Sequence, residues 1–191
     1  MRKVVFDIET QNTFIDVGSN NPADLDISVV TAYDYGTDTY TTVDIKDLSP
    51  LWPIIEKADI LIGFNSDHFD IPLLNKYSPQ DLNHTKSLDI LREIKNSYGR
   101  RMKLDQIAEG TLGVKKSGHG LQAIAWWNKG EIDKIKQYCE DDVRITKDIY
   151  DFAIKNKHLK FKEGGEIMQI NLDTSDWEEI PTTENQSQSL F

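Results

Sequence analysis

Residues 58–65, ADILIGFN, form a short unbroken apolar run that stops at Gly63 and Asn65. A strand that is apolar on both faces has to be covered on both faces, the situation of a parallel strand between layers of helices. Such strands commonly hand over at their C-terminal ends to loops that build a site. Around this run the chain supplies matching partners. RKVVFDI (2–8) reads as a second buried strand, and ISVVTAYDYG (27–36) with TDTYTTVDI (37–45) reads as a hairpin divided at Gly36, Thr37 and Asp38. Three strands in antiparallel order followed by parallel ones make a mixed sheet.

Helical spacing fills the intervals. Asp47 to Ala58 carries Leu48, Leu51, Trp52, Ile54 and Ile55 on one face, with Ser49 as its expected cap and Pro53 early enough to be borne. A helix is expected from Phe69 to Tyr77, and HTKSLDIL (84–91) is expected to hold the last core strand. Beyond Met102 the chain turns helical in LDQIAEGTLG, GLQAIAWWN and Glu131 to Asn156. Gln11 to Asp26 reads as a loop. LKFKEGGEIMQINL (159–172) reads as a hairpin around Gly164 and Gly165, and from about Asp173 the polar residues predict a frayed end. The fold class is therefore α/β, a mixed sheet flanked by helices, in one main unit over 1–157, a hairpin extension over 158–172 and a flexible tail over 173–191.

At 191 residues one core is expected. No apolar run approaches the roughly 20 residues that cross a bilayer. The N-terminus MRKVVFDIET lacks the pattern of a secretory signal, so a soluble, cytoplasmic protein is expected. Cys139, the lone cysteine, cannot form an intramolecular disulfide. A net charge of −10 argues against a broad electropositive surface for nucleic acid. It leaves room for a local contact, because acids gathered in a cleft need cations, and a bound divalent ion reverses the local sign.

The chemistry is concentrated in three segments. In FDIET, Asp7 and Glu9 stand two apart at a strand end and so point to the same face. Oxygen donors at that spacing suit a hard divalent ion, and a solvated strand end explains the pair equally well. In GFNSDHFDIPLL, Asp70 falls in the first turn of the expected helix, which ordinary dipole chemistry also explains, and Asn65 either caps that helix or holds substrate. His68 reads as a surface residue. In YCEDDV, Tyr138 and Asp142 lie one helical turn apart on one face, whereas Glu140 and Asp141 fit a solvated acidic face. Lys115, Lys116 and Ser117 in a glycine-bearing loop fit either phosphate contact or simple solvation. Trp126 and Trp127 read as core. Phe14 reads as either a wedge for a terminal base or a packing residue, and Asp89 is left outside the site.

Taken in order, these three segments resemble the three motifs of the DEDDy 3′-5′ exonucleases of the ribonuclease H-like superfamily. The likeness runs from about residue 2 to about residue 157. It is nearest in flavour to the exonuclease domain of family B DNA polymerases and its stand-alone bacterial relatives, which KLDQIAEGTLGVKKSGHGLQAIAWWNKGEI and FKEGGEIMQINL also resemble. The resemblance implies a ribonuclease H-like fold, with 1–157 as the exonuclease domain. It implies Asp7, Glu9, Asp70 and Asp142 as ligands of two Mg²⁺ or Mn²⁺ ions and Tyr138 as the residue that orients the attacking water. Gln137 stands where the sibling class carries histidine, which favours the tyrosine class. Thr10, Asn65 and Lys116 are then expected at the substrate. The implied reaction is release of nucleoside monophosphates from the 3′ end of nucleic acid, DNA before RNA and single-stranded. Alternatives on the same fold are an RNA-trimming 3′ exonuclease and a nucleic-acid or protein-binding module.

Overall fold

A computed structural model of the protein describes residues 1–115 and 120–180. β1 (Lys3–Thr10) leads into a segment that carries a short helix, α1 (Phe14–Val17), where Thr13 and Asp16 form a capping box. β2 (Ile27–Asp34) and β3 (Thr39–Asp44) form the expected hairpin, and α2 (Trp52–Ile55) precedes β4 (Ile60–Gly63). α3 (Asp70–Asn75), β5 (Lys86–Asp89), α4 (Ile90–Tyr98), α5 (Leu104–Leu112), α6 (Gly120–Asn128) and α7 (Ile132–Asn156) follow, and β6 (His158–Glu163) and β7 (Glu166–Asn171) close the chain.

The main sheet has the order β3-β2-β1-β4-β5. β1 pairs antiparallel with β2, opposing Asp7 to Thr31, and parallel with β4, opposing Val4 to Leu61, while β5 extends the parallel side. Period-2 alternation sorts the residues of β1 between two cores. Val4, Phe6 and Ile8 pack on one face with Leu51, Ile55 and Ile71 from the α2 and α3 side. Val5 faces the other way, into a core with Val143 and Ile149 of α7. Asp7 and Glu9 share Val5's parity, so the strand that begins by burying valine against α7 ends by turning carboxylates toward it.

α7 buries a stripe through Ile135, Tyr138, Cys139, Asp142, Val143, Thr146, Ile149 and Ala153. That 3.6-residue spacing places Tyr138 and Asp142 on the inward face. The neighbouring acids face elsewhere. Asp141 binds Arg144 at 2.5 Å, and Glu140 accepts a hydrogen bond from Thr42 at 3.3 Å.

The β6–β7 hairpin forms its own two-stranded sheet and packs on α5. A Cβ on Gly110 would sit 2.5 Å from the Phe161 backbone, so only glycine permits this approach. Thr111 Oγ1 accepts the Lys160 N–H at 2.8 Å and donates to the Lys160 carbonyl at 2.6 Å, replacing a strand neighbour at that edge.

Two expectations fail. The helix expected from Asp47 to Ala58 shrinks to Trp52–Ile55, because Asp47 accepts the Ser49 N–H at 3.0 Å in a local turn that competes with helix, and no side chain caps the start. The frayed end expected from Asp173 does not hold for residues 173–180. Trp177 is 1% exposed and stacks on Tyr150 with ring centroids 6.1 Å apart, and Glu178 accepts from Lys3 and from the Tyr150 hydroxyl, each at 2.7 Å. One aromatic anchor with a partnered acid beside it holds an otherwise polar segment. Among the described residues, no helix is long and apolar enough to cross a membrane. Trp177→Ala is expected to destabilise the protein by about 3–5 kcal/mol, the usual cost of emptying a buried aromatic site, read as a lower midpoint in urea unfolding.

Candidate active site

Where β1 meets α7, one ligand oxygen each from Asp7, Glu9 and Asp142 lies within 4.8 Å of the others. Asp142 is 3% exposed and Glu9 7%, while Asp7 is half-buried. Asp70, 4% exposed, enters the same cavity from the first turn of α3. Burial above all, and then the charge of Asp7, push the Asp70 carboxyl well above the usual carboxylate range. The Ile8 amide opposes that shift by hydrogen bonding.

The cavity has a volume of about 470 Å³, and Tyr138 lines it beside these acids. Tyr138 is 3% exposed and meets Trp126 edge-on, with centroids 5.9 Å apart. Trp126 and Trp127 thus belong to the packing behind Tyr138, as their spacing indicated. Phe14 and Phe69 form an edge-to-face pair at 6.2 Å that makes an apolar wall, continued by Leu121 and Ile124 of α6. Phe14 therefore both packs and faces the cavity.

Thr10 and Asn65 also line the cavity. Thr10 follows an irregularity in the β1–β2 register between Glu9 and Thr10, which turns the strand end at the site. Lys116 lies outside the described residues, while Lys115 is exposed with its amine 4.0 Å from Glu109. His68 is exposed and does not line the cavity.

Cys139 sits beneath the acids, donating from Sγ to the Asp7 carbonyl at 3.3 Å. Burial, and then the charges of Asp7 and Glu9, push its thiol well up from the usual range. The donor set that remains is carboxylate oxygen, which fits a hard divalent cation such as Mg²⁺ or Mn²⁺ and not a soft one.

Sequence reasoning left Asp89 aside. It lies at the end of β5, 4% exposed, and accepts the backbone N–H groups of both α4 and the loop that carries Asn65. SLDIL, an aspartate directly before an apolar helical run, carries the N-cap pattern that signals the first of these roles.

A family model for the RNase H superfamily matches residues 4–154. The chain belongs to the RNase H superfamily, and its fold and family support a nuclease. Among solved structures it is similar to the family B DNA polymerase from the hyperthermophilic archaeon Pyrobaculum calidifontis, with a TM-score of 0.62 and 19% identity, over 81% of this chain and 24% of the polymerase chain. The sequence has no significant match among curated proteins. The resemblance to this superfamily and to family B polymerases, drawn from the three acidic segments, holds.

Mg²⁺ or Mn²⁺ is expected to raise the melting temperature, because an ion that binds only the folded state at a hundredfold excess over its Kd adds about 2.7 kcal/mol. Asp7→Asn is expected to abolish that rise while leaving the metal-free melting temperature equal or higher, since it removes one of several crowded negative charges. Thermal scans of both proteins, with each metal and with EDTA, check this.

Proposed function

We propose that the protein is a 3′-5′ exonuclease of the tyrosine-bearing class, acting in the cytoplasm on the 3′ end of single-stranded DNA, with DNA repair as its setting. One observation carries the reading: the strand-end acids Asp7 and Glu9, Asp70 at a helix start, and Tyr138 and Asp142 on one stripe of α7 open into the same cavity. Asp7, Glu9, Asp70 and Asp142 are the residues to hold two divalent ions. When bound, such a pair supplies an activated water and neutralises charge on the attacking and leaving oxygens of an in-line displacement.

The protein's own groups do the rest. Tyr138 lines the cavity beside the acids, and its phenol is suited to orient the water by a hydrogen bond. Packing against Trp126 limits its swing. Phe14, Phe69 and Leu121 offer apolar surface to the terminal base, and such contact tolerates every base. Thr10 and Asn65, which line the cavity, are assigned to the sugar and phosphate of the last nucleotide, and Lys116 is assigned to the substrate by the resemblance alone. The likeness to a DNA polymerase favours DNA over RNA, and the 2′-hydroxyl is the group that separates the two.

The test is a gel time course on 5′-labelled single-stranded DNA and RNA with Mg²⁺, Mn²⁺ or EDTA. A metal-dependent ladder shortening from the 3′ end, stronger on DNA, is expected. Cleavage inside the strand, or a ladder on RNA alone, would replace this reading, and no cleavage of either would favour a binding module. Asp7→Ala is expected to lower the rate by more than about 1,000-fold while the protein stays folded. Tyr138→Phe is expected to cost less, about 10- to 100-fold, the scale of one charge-assisted hydrogen bond.

A further inference from the structure

Asn65 reaches the cavity from the loop between β4 and α3 in an uncommon backbone state, left-handed with φ at 73°. Asparagine tolerates that conformation better than most side chains, and it still has to be held there. Asp89 holds it. The Asn65 N–H donates to Asp89 Oδ1 at 2.8 Å, and the same oxygen takes the N–H groups of Leu91 at 2.9 Å and Arg92 at 3.3 Å at the start of α4. Asp89 Oδ2 takes the Asp67 N–H at 3.3 Å. One buried carboxylate thus ties the loop that leads into Asp70 to the N-terminus of α4.

The side chain is fixed separately. Arg101, exposed between α4 and α5, donates from Nη2 to Asn65 Oδ1. With one acceptor position of its oxygen taken by a guanidinium, the amide is oriented and offers Nδ2 to a ligand, and Nδ2 can only donate. We infer that Asp89 and Arg101 are positioning residues that present Asn65 to the substrate as a hydrogen-bond donor. The group it serves is an acceptor oxygen of the terminal nucleotide, on phosphate or sugar. This rests on the exonuclease reading only in taking a nucleic acid 3′ end as the occupant of the cavity.

The arrangement differs in consequence from an arginine that grips the strand itself. If Arg101 works through Asn65, its removal costs nothing once Asn65 is gone; if it binds phosphate directly, its removal costs the same in either background.

The experiment measures binding of a 5′-fluorescein single-stranded oligothymidylate by anisotropy in EDTA, where no cleavage occurs, and KM and kcat on the same strand with Mg²⁺. The proteins are wild type, Asn65→Ala, Arg101→Met, Arg101→Lys, Asp89→Asn and the Asn65→Ala/Arg101→Met double variant. Asp89→Asn keeps a side-chain oxygen for the α4 cap and loses the acceptor for Asp67, and melting temperatures verify that each protein is folded. Asn65→Ala and Arg101→Met are each expected to weaken binding and raise KM by about tenfold, the scale of one charge-assisted hydrogen bond. Asp89→Asn is expected to do so in part, Arg101→Lys to recover part of the loss, and the double variant to bind no more weakly than Asn65→Ala. Full additivity in the double variant, or wild-type binding by Arg101→Met, overturns the inference. Coupled binding without hydrolysis would retain it and sink the exonuclease reading; absence by the wild type of both binding and Mg²⁺-dependent hydrolysis would sink both.

Discussion

Carboxylates crowded where β1 meets α7 are the constraint that the rest of the structure has to meet. Asp7, Glu9 and Asp142 bring oxygens within 4.8 Å of one another, and burial, then the charge of Asp7, pushes the Asp70 carboxyl well up. At an effective dielectric of about 20, a pair of unit charges at that range repels by on the order of 3 kcal/mol. The fold withstands this because the same two elements are pinned elsewhere by apolar contact. Val5 on β1 and Val143, Ile149 and Ala153 on α7 lie in one core that begins beside Asp142 and runs on along the helix. The opposite face of β1 is locked by Phe6 and Ile8. The strand and helix therefore cannot separate to relieve the charges, which remain in place for a cation.

That division of labour explains how much of the site was legible in the sequence. A strand has period 2, so Val5, Asp7 and Glu9 share a face whatever surrounds them. A helix has period 3.6, so Tyr138 and Asp142 fall on the stripe that also holds Ile135, Val143 and Ile149, and Glu140 and Asp141 fall off it. Local geometry alone thus selects the inward acid among three consecutive ones. The apolar run of β4 is equally plain, since a strand buried on both faces needs no partner to be recognised. These elements were readable because their periodicity is fixed by the backbone.

What was not readable depends on contacts between distant residues. The polar residues after Asp173 predict fraying, yet Trp177 finds Tyr150 and Glu178 finds Lys3, pairings set by where α7 and β1 end up. The shortened α2 reflects a local competition at Asp47 that an apolar face of helical spacing conceals. Asp89 carries a cap signature, and its second task, holding Asn65 from 24 residues away, follows only from the parallel pairing of β4 with β5. Arg101 has no signal of any kind in its neighbours, because its reach to Asn65 is decided by the turn between α4 and α5.

Charge then links the site to its substrate. With a net charge of −10, the protein repels a polyanion at long range, and the acids of the cavity add to that repulsion until cations occupy them. Under the proposed function, attraction comes from short range: the ions, apolar contact to a base along Phe14 and Phe69, and a donor at Asn65. Those contacts act over one or two nucleotides, whereas a duplex groove reader spreads lysines and arginines along many phosphates. A strand end, which can enter a cavity and offer its last nucleotide on several sides, satisfies short-range contacts that the middle of a strand cannot. The acidic balance of the chain and the acidic cavity therefore agree with the proposed action on a strand end.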